Sequence, residues 1–533
     1  MWVEKKMQER FGSKRRAKEE ILARYVSLIY MGNGRYGFAA AAEYYFGRTL
    51  ATLAVEDADK AALLAGIPKS PRYYAPTAKD AERVLRRRNQ TLALMAANGF
   101  ISPDAARRAV QRPMLVVVPD KDTMLQAPGV VGHVLAELHD ADLGLQDLLQ
   151  GRFQVYSTVD ARVQQIVNEA LEHGLDSYEK RRPKAKGLVQ GSIVVLRNRD
   201  ASILAETGGR QFYQGRPSSY RDFNRVTDSQ RQPGSAMKPM VYLAAFRQGI
   251  FNLDTVVPDE PISVPDEGTV SVKWISNYDH QFKGMIPLRA ALAESRNAVA
   301  IWITEQIGIA NVVRTSQSLG VRTPLLPYAS TALGASEVNL LELANAYRTM
   351  ASGILAQPYL IRKITLNSGE VITGKAHRRP APHVIDDAGL TLIQEGLRSV
   401  VRMPSGTAHA LDSRGFPIAV MGKTGTTNEF RDALFVGSTY GPEGITIAVR
   451  IGFDDNRSLG SRETGGRVAL PVFREITIRV YGDKLVGPVP EFPAQMEENI
   501  NAYLHRDPLE IPLVADHRLA AMYELQGVLM NGN

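Results

Sequence analysis

The chain contains no cysteine. That excludes a disulfide framework, a thiolate-ligated metal site and a cysteine nucleophile. It contains no run of about 18 apolar residues, which excludes a transmembrane helix within the given sequence. The stretch YGFAAAAEYYFG at 36–47 is too short to span a bilayer and carries Glu43. The opening segment, MWVEKKMQERFGSKRRAKEE, is charged throughout and lacks the apolar core of a signal peptide.

What remains is ordinary globular composition, 533 residues with 44% apolar and 23% charged. Such a length accommodates about two to four domains. The formal net charge of +8 suits anionic partners such as a membrane surface, a cell-wall polymer or nucleic acid.

Residues 1–112 read as helical, with apolar positions at helical spacing in EEILARYVSLIYM and RRRNQTLALMAANGF. Pro113 begins a change of texture, and 113–150 reads as an interdomain linker. From 151 to 482 helical and strand patterns alternate. GSIVVL and ASILAET flank RNRD as a hairpin. IPLRAALAESRNAVAIWITEQIG reads as two helices meeting near Ser295, and NLLELANAYRTMAS as another helix. IAVMGKTGTT, DALFVGSTY and ITIAVRIGF read as three strands with short, hence antiparallel, connections. The expected fold is an α/β domain with a five-stranded, mainly antiparallel sheet covered by helices. The Pro-rich stretch 483–533 reads as a loosely packed tail.

Three motifs stand in order along this region. In QPGSAMKPM, Ser235 follows a Pro-Gly turn and Lys238 lies three residues on, so a helix opening at Ser235 puts both on one face. Alone, this spacing also fits an N-cap serine beside a solvated lysine. Ser295-Arg296-Asn297 comes second and is nearly noise by itself. Lys423-Thr424-Gly425-Thr426 comes third, on an expected strand. A phosphate-loop reading of its GKT fails, because the required glycine position holds Pro417.

Chemistry gives each residue a part. A serine hydroxyl needs a base to become a nucleophile, and Lys238 serves only when neutral. Burial and a second positive charge, Lys423, would lower its pKa. Ser295 can relay a proton and Asn297 can hold a substrate carbonyl. Gly425, lacking a Cβ, lets a substrate backbone approach the strand. Thr424 and Thr426 beside Lys423 suit a substrate carboxylate. The backbone N–H groups of Ser235 and Thr426 could form an oxyanion hole.

S-x-x-K with S-D-N and K-T-G is the known signature of penicillin-binding proteins and class A β-lactamases, and Ser295-Arg296-Asn297 stands at the place of its middle motif. FNRVTDSQRQPGSAMKPMVYLAAFRQG, NYDHQFKGMIPLRAALAESRNAVA, STALGASEVNLLELANAYRTMAS and GKTGTTNEFRDALFVG resemble class A penicillin-binding proteins, the bifunctional peptidoglycan synthases. The resemblance implies a penicillin-binding transpeptidase fold. It implies acyl transfer on D-Ala-D-Ala stem peptides with Ser235, Lys238, Ser295 and Lys423 catalytic and Asn297, Thr424, Gly425 and Thr426 binding substrate. It also implies covalent inhibition by β-lactams, no cofactor or metal for the transpeptidase, and no nucleic-acid partner. The implied location is the bacterial cell envelope, on the periplasmic or extracytoplasmic face of the inner membrane. Leu434 replaces an aromatic common in the family, and Ser276 stands where proline is common.

Residues 1–112 resemble the C-terminal part of the family's lysozyme-like, all-α glycosyltransferase domain, through EEILARYVSLIYMGNGRYGFAAAAEYYFG, ALLAGIPKSPRYYAPT and RRRNQTLALM. Arg87 or Arg88 matches an arginine of its fifth motif, and Glu4 the glutamate ending its third. The family's first motif, its second and its membrane helix have no counterpart in the given sequence, so the expectation is a truncated remnant without glycan polymerisation. In the full-length relative, lipid II, membrane association and a divalent metal are implied. Two competing readings are a non-catalytic β-lactam sensor or scaffold, and a β-lactamase, for which ELAN at 342–345 is a faint deacylation loop.

Overall fold

A computed structural model describes residues 8, 12–32, 37–76, 80–114, 128–140, 153–210, 212–213, 216–217, 223–265, 271–366, 371–372 and 384–506. The chain forms two compact units, one of 1–126, 135–156 and 363–375, the other of 127–134, 157–362 and 376–533. Of the expected linker, 113–114 and 128–140 are described, and the latter forms a helix, Pro128–Asp140.

The first unit is helical, as its periodicity predicts: α1 (Lys14–Leu28), α2 (Phe38–Phe46), α3 (Ala58–Gly66), α4 (Ala81–Ala97) and α5 (Pro103–Val110). Ser13, Asp80 and Ser102 cap α1, α4 and α5 by accepting from backbone N–H groups of the first turn. Met31, Tyr45, Leu63, Leu64, Ile67 and Val84 share a buried cluster.

The second unit begins with α6 (Ala161–Arg181), β1 (Gln190–Arg197) and β2 (Ile203–Thr207). Next come α7 (Lys238–Phe246), β3 (Val256–Asp259), β4 (Gly284–Pro287), α8 (Leu288–Ala293) and α9 (Asn297–Ile307). α10 (Leu340–Ser352) and α11 (Asp387–Arg402) precede β5 (Met421–Thr426), β6 (Asp432–Ser438) and β7 (Ile445–Gly452). α12 (Leu470–Gly482) and α13 (Ala494–Leu504) follow.

Five strands form one antiparallel sheet in the order β5-β6-β7-β1-β2. Every position of β6 and β7 is buried, so helices cover both faces. α6 and α12 pack together and on the sheet, α10 lies on β7 and β1, and α11 lies on β5. The expected sheet is present, and β5, bearing the K-T-G motif, is one of its two edge strands.

The expectation of a loose tail does not hold over 483–506. There α13 buries Met496 and Ile500, one helical turn apart, and Phe492 joins the same core. Proline-rich texture reflects the turns around α13, not an absence of packing.

Candidate active site

Ser235 lies in a 3-10 turn, Gly234–Met237, that runs directly into α7. This turn packs against β5. Gly234 has φ +54, and a Cβ there would stand 2.6 Å from the Thr426 carbonyl oxygen. A Cβ on Gly425 would stand 2.6 Å from the Pro233 carbonyl oxygen. Two glycines therefore let the serine-bearing turn and the edge strand meet backbone to backbone. From α10, the buried Tyr347 hydroxyl donates to the Ala236 carbonyl at 2.8 Å and braces the turn. Ser235 is half-buried, and its hydroxyl makes no hydrogen bond to a described residue.

One turn on, Lys238 is fully buried. Its Nζ donates to the Ser295 carbonyl at 2.5 Å and to Asn297 Oδ1 at 2.7 Å, and lies 3.1 Å from Ser295 Oγ. All three protons of an ammonium find acceptors here. A neutral amine can donate to the two carbonyl-type oxygens and keep its lone pair for a hydroxyl proton. Burial holds the Lys238 pKa well below the ordinary lysine value, and the charges of Lys423 and Arg296 lower it further against the opposing pull of Asp259.

The Ser-Arg-Asn corner joins α8 to α9. Ser295 N–H donates to the Leu292 carbonyl and Arg296 N–H to the Ala291 carbonyl, the double closure of a helix that ends in a left-handed residue. That residue, Ser295, has φ +62, where glycine is usual. Asn277 then caps α9 from outside, its Oδ1 accepting from the N–H groups of Asn297 at 2.7 Å and Ala298 at 3.2 Å. Asn297 Nδ2 donates to the Ser276 carbonyl at 2.8 Å. The serine in place of the family's proline therefore supplies a backbone acceptor that either residue would offer.

Lys423 is fully buried as well, and burial lowers its pKa to about 7. Its Nζ reaches the Thr424 carbonyl at 3.3 Å. Alternation along β5 sends the side chains of Thr424 and Thr426 to the opposite face. Thr424 Oγ1 donates to Thr407 Oγ1 at 2.8 Å, and Thr426 Oγ1 accepts from Gly465 N–H at 3.0 Å. The three side chains therefore divide between the faces of the strand: the Lys423 charge acts on Lys238, and the threonine hydroxyls engage Thr407 and Gly465. Leu434 pairs with Gly425 across the strands and lies buried beneath the glycine.

The two arginines of the first unit separate. Arg88 is buried, and its guanidinium donates to the carbonyls of Arg112 at 2.7 Å and Val110 at 2.8 Å, closing the end of α5. Arg87 is half-buried, with its Nε 3.5 Å from the Gly66 carbonyl and its guanidinium 5.7 Å from the centre of the Tyr74 ring. Glu4 lies outside the described residues. Among the described residues, no three His, Asp or Glu side chains gather in a way that could hold a metal ion, and no helix is long and apolar enough to cross a membrane. Sequence reasoning did not find Asp259, Asn277 or Tyr347, which build the corner and brace the turn. The motif stretch NYD carried a signal for Asn277.

A transpeptidase-type α/β unit joined to a helical transglycosylase-type region is the class that this fold and motif set define. The family described as "Penicillin binding protein transpeptidase domain" matches residues 191–477, and that described as "Transglycosylase" matches residues 5–96. Penicillin-binding protein 1A of Aquifex aeolicus is 31% identical over 551 residues, spanning 87% of this chain and 72% of the relative. Penicillin-binding protein 1B of Vibrio cholerae is 31% identical over 485 residues, spanning 90% of this chain and 59% of the relative. The crystal structure of penicillin-binding protein 1A from Haemophilus influenzae superposes with a TM-score of 0.70 over 89% of this chain and 87% of that one. At 23% identity that likeness shows the fold. The chain belongs to the class A penicillin-binding proteins, which build peptidoglycan by glycosyl transfer and transpeptidation.

Proposed function

We propose that this chain is a serine-type D-Ala-D-Ala transpeptidase with Ser235 as its nucleophile. The observation that carries the reading is the buried Lys238 amine, hydrogen-bonded to Ser295 and Asn297 one turn from a serine hydroxyl that makes no hydrogen bond to a described residue. Ser235 Oγ attacks the carbonyl of the penultimate D-Ala, and neutral Lys238 takes its proton. The amide C–N bond breaks, and the proton passes through the Ser295 hydroxyl to the departing amine of the terminal D-Ala. An amine of a second stem peptide then attacks the ester, releases Ser235 and completes the cross-link. A β-lactam enters the same first step, but its ring nitrogen stays tethered to the acyl group, so the ester persists.

Asn297 holds the substrate backbone, Gly425 admits it to the edge of β5, and Lys423 sets the electrostatic potential on the anionic end of the substrate. Envelope localisation on the extracytoplasmic face follows from peptidoglycan as substrate. Glycan polymerisation from lipid II, at the membrane, is proposed as the work of a complete glycosyltransferase domain. Of the two candidate arginines, Arg87 is the one proposed to meet a diphosphate, because the guanidinium of Arg88 is committed to buried carbonyls. The β-lactamase alternative loses its loop: Glu342 sits in the first turn of α10, its Oε2 accepting from Thr323 N–H at 3.1 Å.

Incubation with a D-Ala-D-Ala stem-peptide donor and an amine acceptor tests the proposal. A cross-linked product containing one donor and one acceptor is expected. Acylation by penicillin without any peptide product would instead indicate a sensor, and rapid release of penicilloate a β-lactamase.

A further inference from the structure

The middle residue of the Ser-Arg-Asn triplet has no part in the chemistry just described, yet it is the most elaborately held side chain near Lys238. Arg296 is buried. Its Nε donates to Asp259 Oδ2 at 2.8 Å, one terminal nitrogen to Asp279 Oδ2 at 2.7 Å, and the other to the Gln281 carbonyl at 2.6 Å. Asp259, at the end of β3, is fully buried and also accepts from Asn277 Nδ2 at 2.8 Å and Lys283 N–H at 3.0 Å. Asn277, in turn, caps the helix that begins at Asn297. One guanidinium thus ties together β3, the 277–283 segment and the corner between α8 and α9.

We propose that Arg296 is a positioning residue for acyl transfer: clamped between Asp259 and Asp279, it fixes the left-handed turn at Ser295 that presents two oxygens to Lys238, and Asp259 balances its charge beside the lysine. The inference rests on the reading of Ser235 and Lys238 as nucleophile and base. Two features of the geometry carry it. The Ser295 conformation is disfavoured for a residue with a Cβ, by about 1–2 kcal/mol, and persists only where the surroundings impose it. Every hydrogen bond of the Arg296 guanidinium goes to a group that is fixed elsewhere, so its loss would free the corner rather than one contact.

Among the described residues, the charges that act on Lys238 are Lys423 from β5, Arg296 from the α8–α9 corner and Asp259 from β3, with Asp279 behind Arg296. Tyr242, one turn along α7, is fully buried, and burial keeps its hydroxyl protonated. Arg296 and Asp259 therefore act on the lysine with opposite signs.

That opposition supplies the test. The acylation rate of the full chain by a fluorescent penicillin is measured against pH for the wild type and for Arg296→Gln, Asp259→Asn, their double variant and Asp279→Asn. Loss of positioning slows Arg296→Gln and Asp259→Asn about ten- to a hundredfold, the scale set by displacing a reacting group by about an ångström. The rising limb of the profile, where Lys238 becomes neutral, moves up by about one pH unit in Arg296→Gln and down by a similar amount in Asp259→Asn. The double variant falls between them. Asp279→Asn, whose side chain is 45% exposed, keeps the fold and moves the limb slightly down. If Arg296→Gln does not fold, the downward shifts of the two aspartate variants decide. An unmoved limb in all folded variants overturns the inference, even if rates fall, because a purely structural clamp would lower the rate without shifting it. A wild-type chain that takes no penicillin at Ser235 overturns the underlying reading instead.

Discussion

Gly234 and Thr426 stand so close that a Cβ on the glycine would lie 2.6 Å from the threonine carbonyl oxygen. This contact sets the serine-bearing turn against the edge strand, and it explains why Pro-Gly precedes Ser235. Gly234→Ala is expected to destabilise the second unit by about 1–2 kcal/mol from the left-handed backbone alone. It should also slow β-lactam acylation about ten- to a hundredfold, since the turn must retreat from the strand. Chemical denaturation and acylation kinetics on the same variant measure both.

Lys423 gives a prediction with a definite sign. Its pKa in the folded chain is about 7, against an ordinary lysine value of 10.5. Between those limits the unfolded chain holds a proton that the folded chain does not. Stability therefore rises with pH through that window, by up to about 1.4 kcal/mol per unit. Below pH 7 the folded state carries the buried charge and the gain is gone. Lys423→Met should flatten the rise without lowering the melting temperature at pH 7. Acylation by carboxylate-bearing β-lactams should fall about tenfold, the scale of about 1.4 kcal/mol set by losing a positive charge behind the anion site rather than a direct hydrogen bond. A lower melting temperature with unchanged acylation would make the lysine structural.

Ser295 offers Lys238 a main-chain oxygen and a hydroxyl. Ser295→Ala keeps the first and removes the second. A fold destabilised by no more than about 1.5 kcal/mol, the net value of one hydrogen bond, is expected. Acylation should slow by about 100-fold or more, the upper part of the range for losing a proton-transfer group. Stopped-flow acylation beside thermal melting separates the two effects.

Arg88 belongs to the first unit, and its buried hydrogen bonds to backbone carbonyls predict an effect on stability. Arg88→Ala strands the carbonyls of Val110 and Arg112 and should cost about 1–3 kcal/mol there. Arg87→Ala should cost little. Neither should change acylation, and hydrogen exchange localised to α4 and α5 would report the difference.

Much of the second unit was legible in the sequence. Short apolar, β-branched runs bounded by turn residues in GSIVVL, ASILAET and the last three strands predict the five-stranded sheet, and the order of the three motifs predicts their convergence. The placement of Lys423 was only half legible: alternation separates it from Thr424 and Thr426, but it does not reveal that the lysine side is roofed over. The clamp on Arg296 joins residues 15 to 37 positions away, beyond the reach of a helical or strand repeat, so no local pattern contains it. For Arg88 a signal existed. Val84, Arg88 and Leu92 recur every four residues, which puts the arginine on the buried face of α4. In α13, Met496 and Ile500 carry the same spacing within a proline-rich setting that obscured it.

The central claim is that Ser235 is the acylated nucleophile. Mass spectrometry of a tryptic digest after treatment with penicillin tests it directly, with the wild type beside Ser235→Ala. A single penicilloyl adduct on the peptide containing Ser235, absent from the folded Ser235→Ala variant, is the predicted result. An adduct on another residue, or a folded wild-type chain that takes none, would contradict the account.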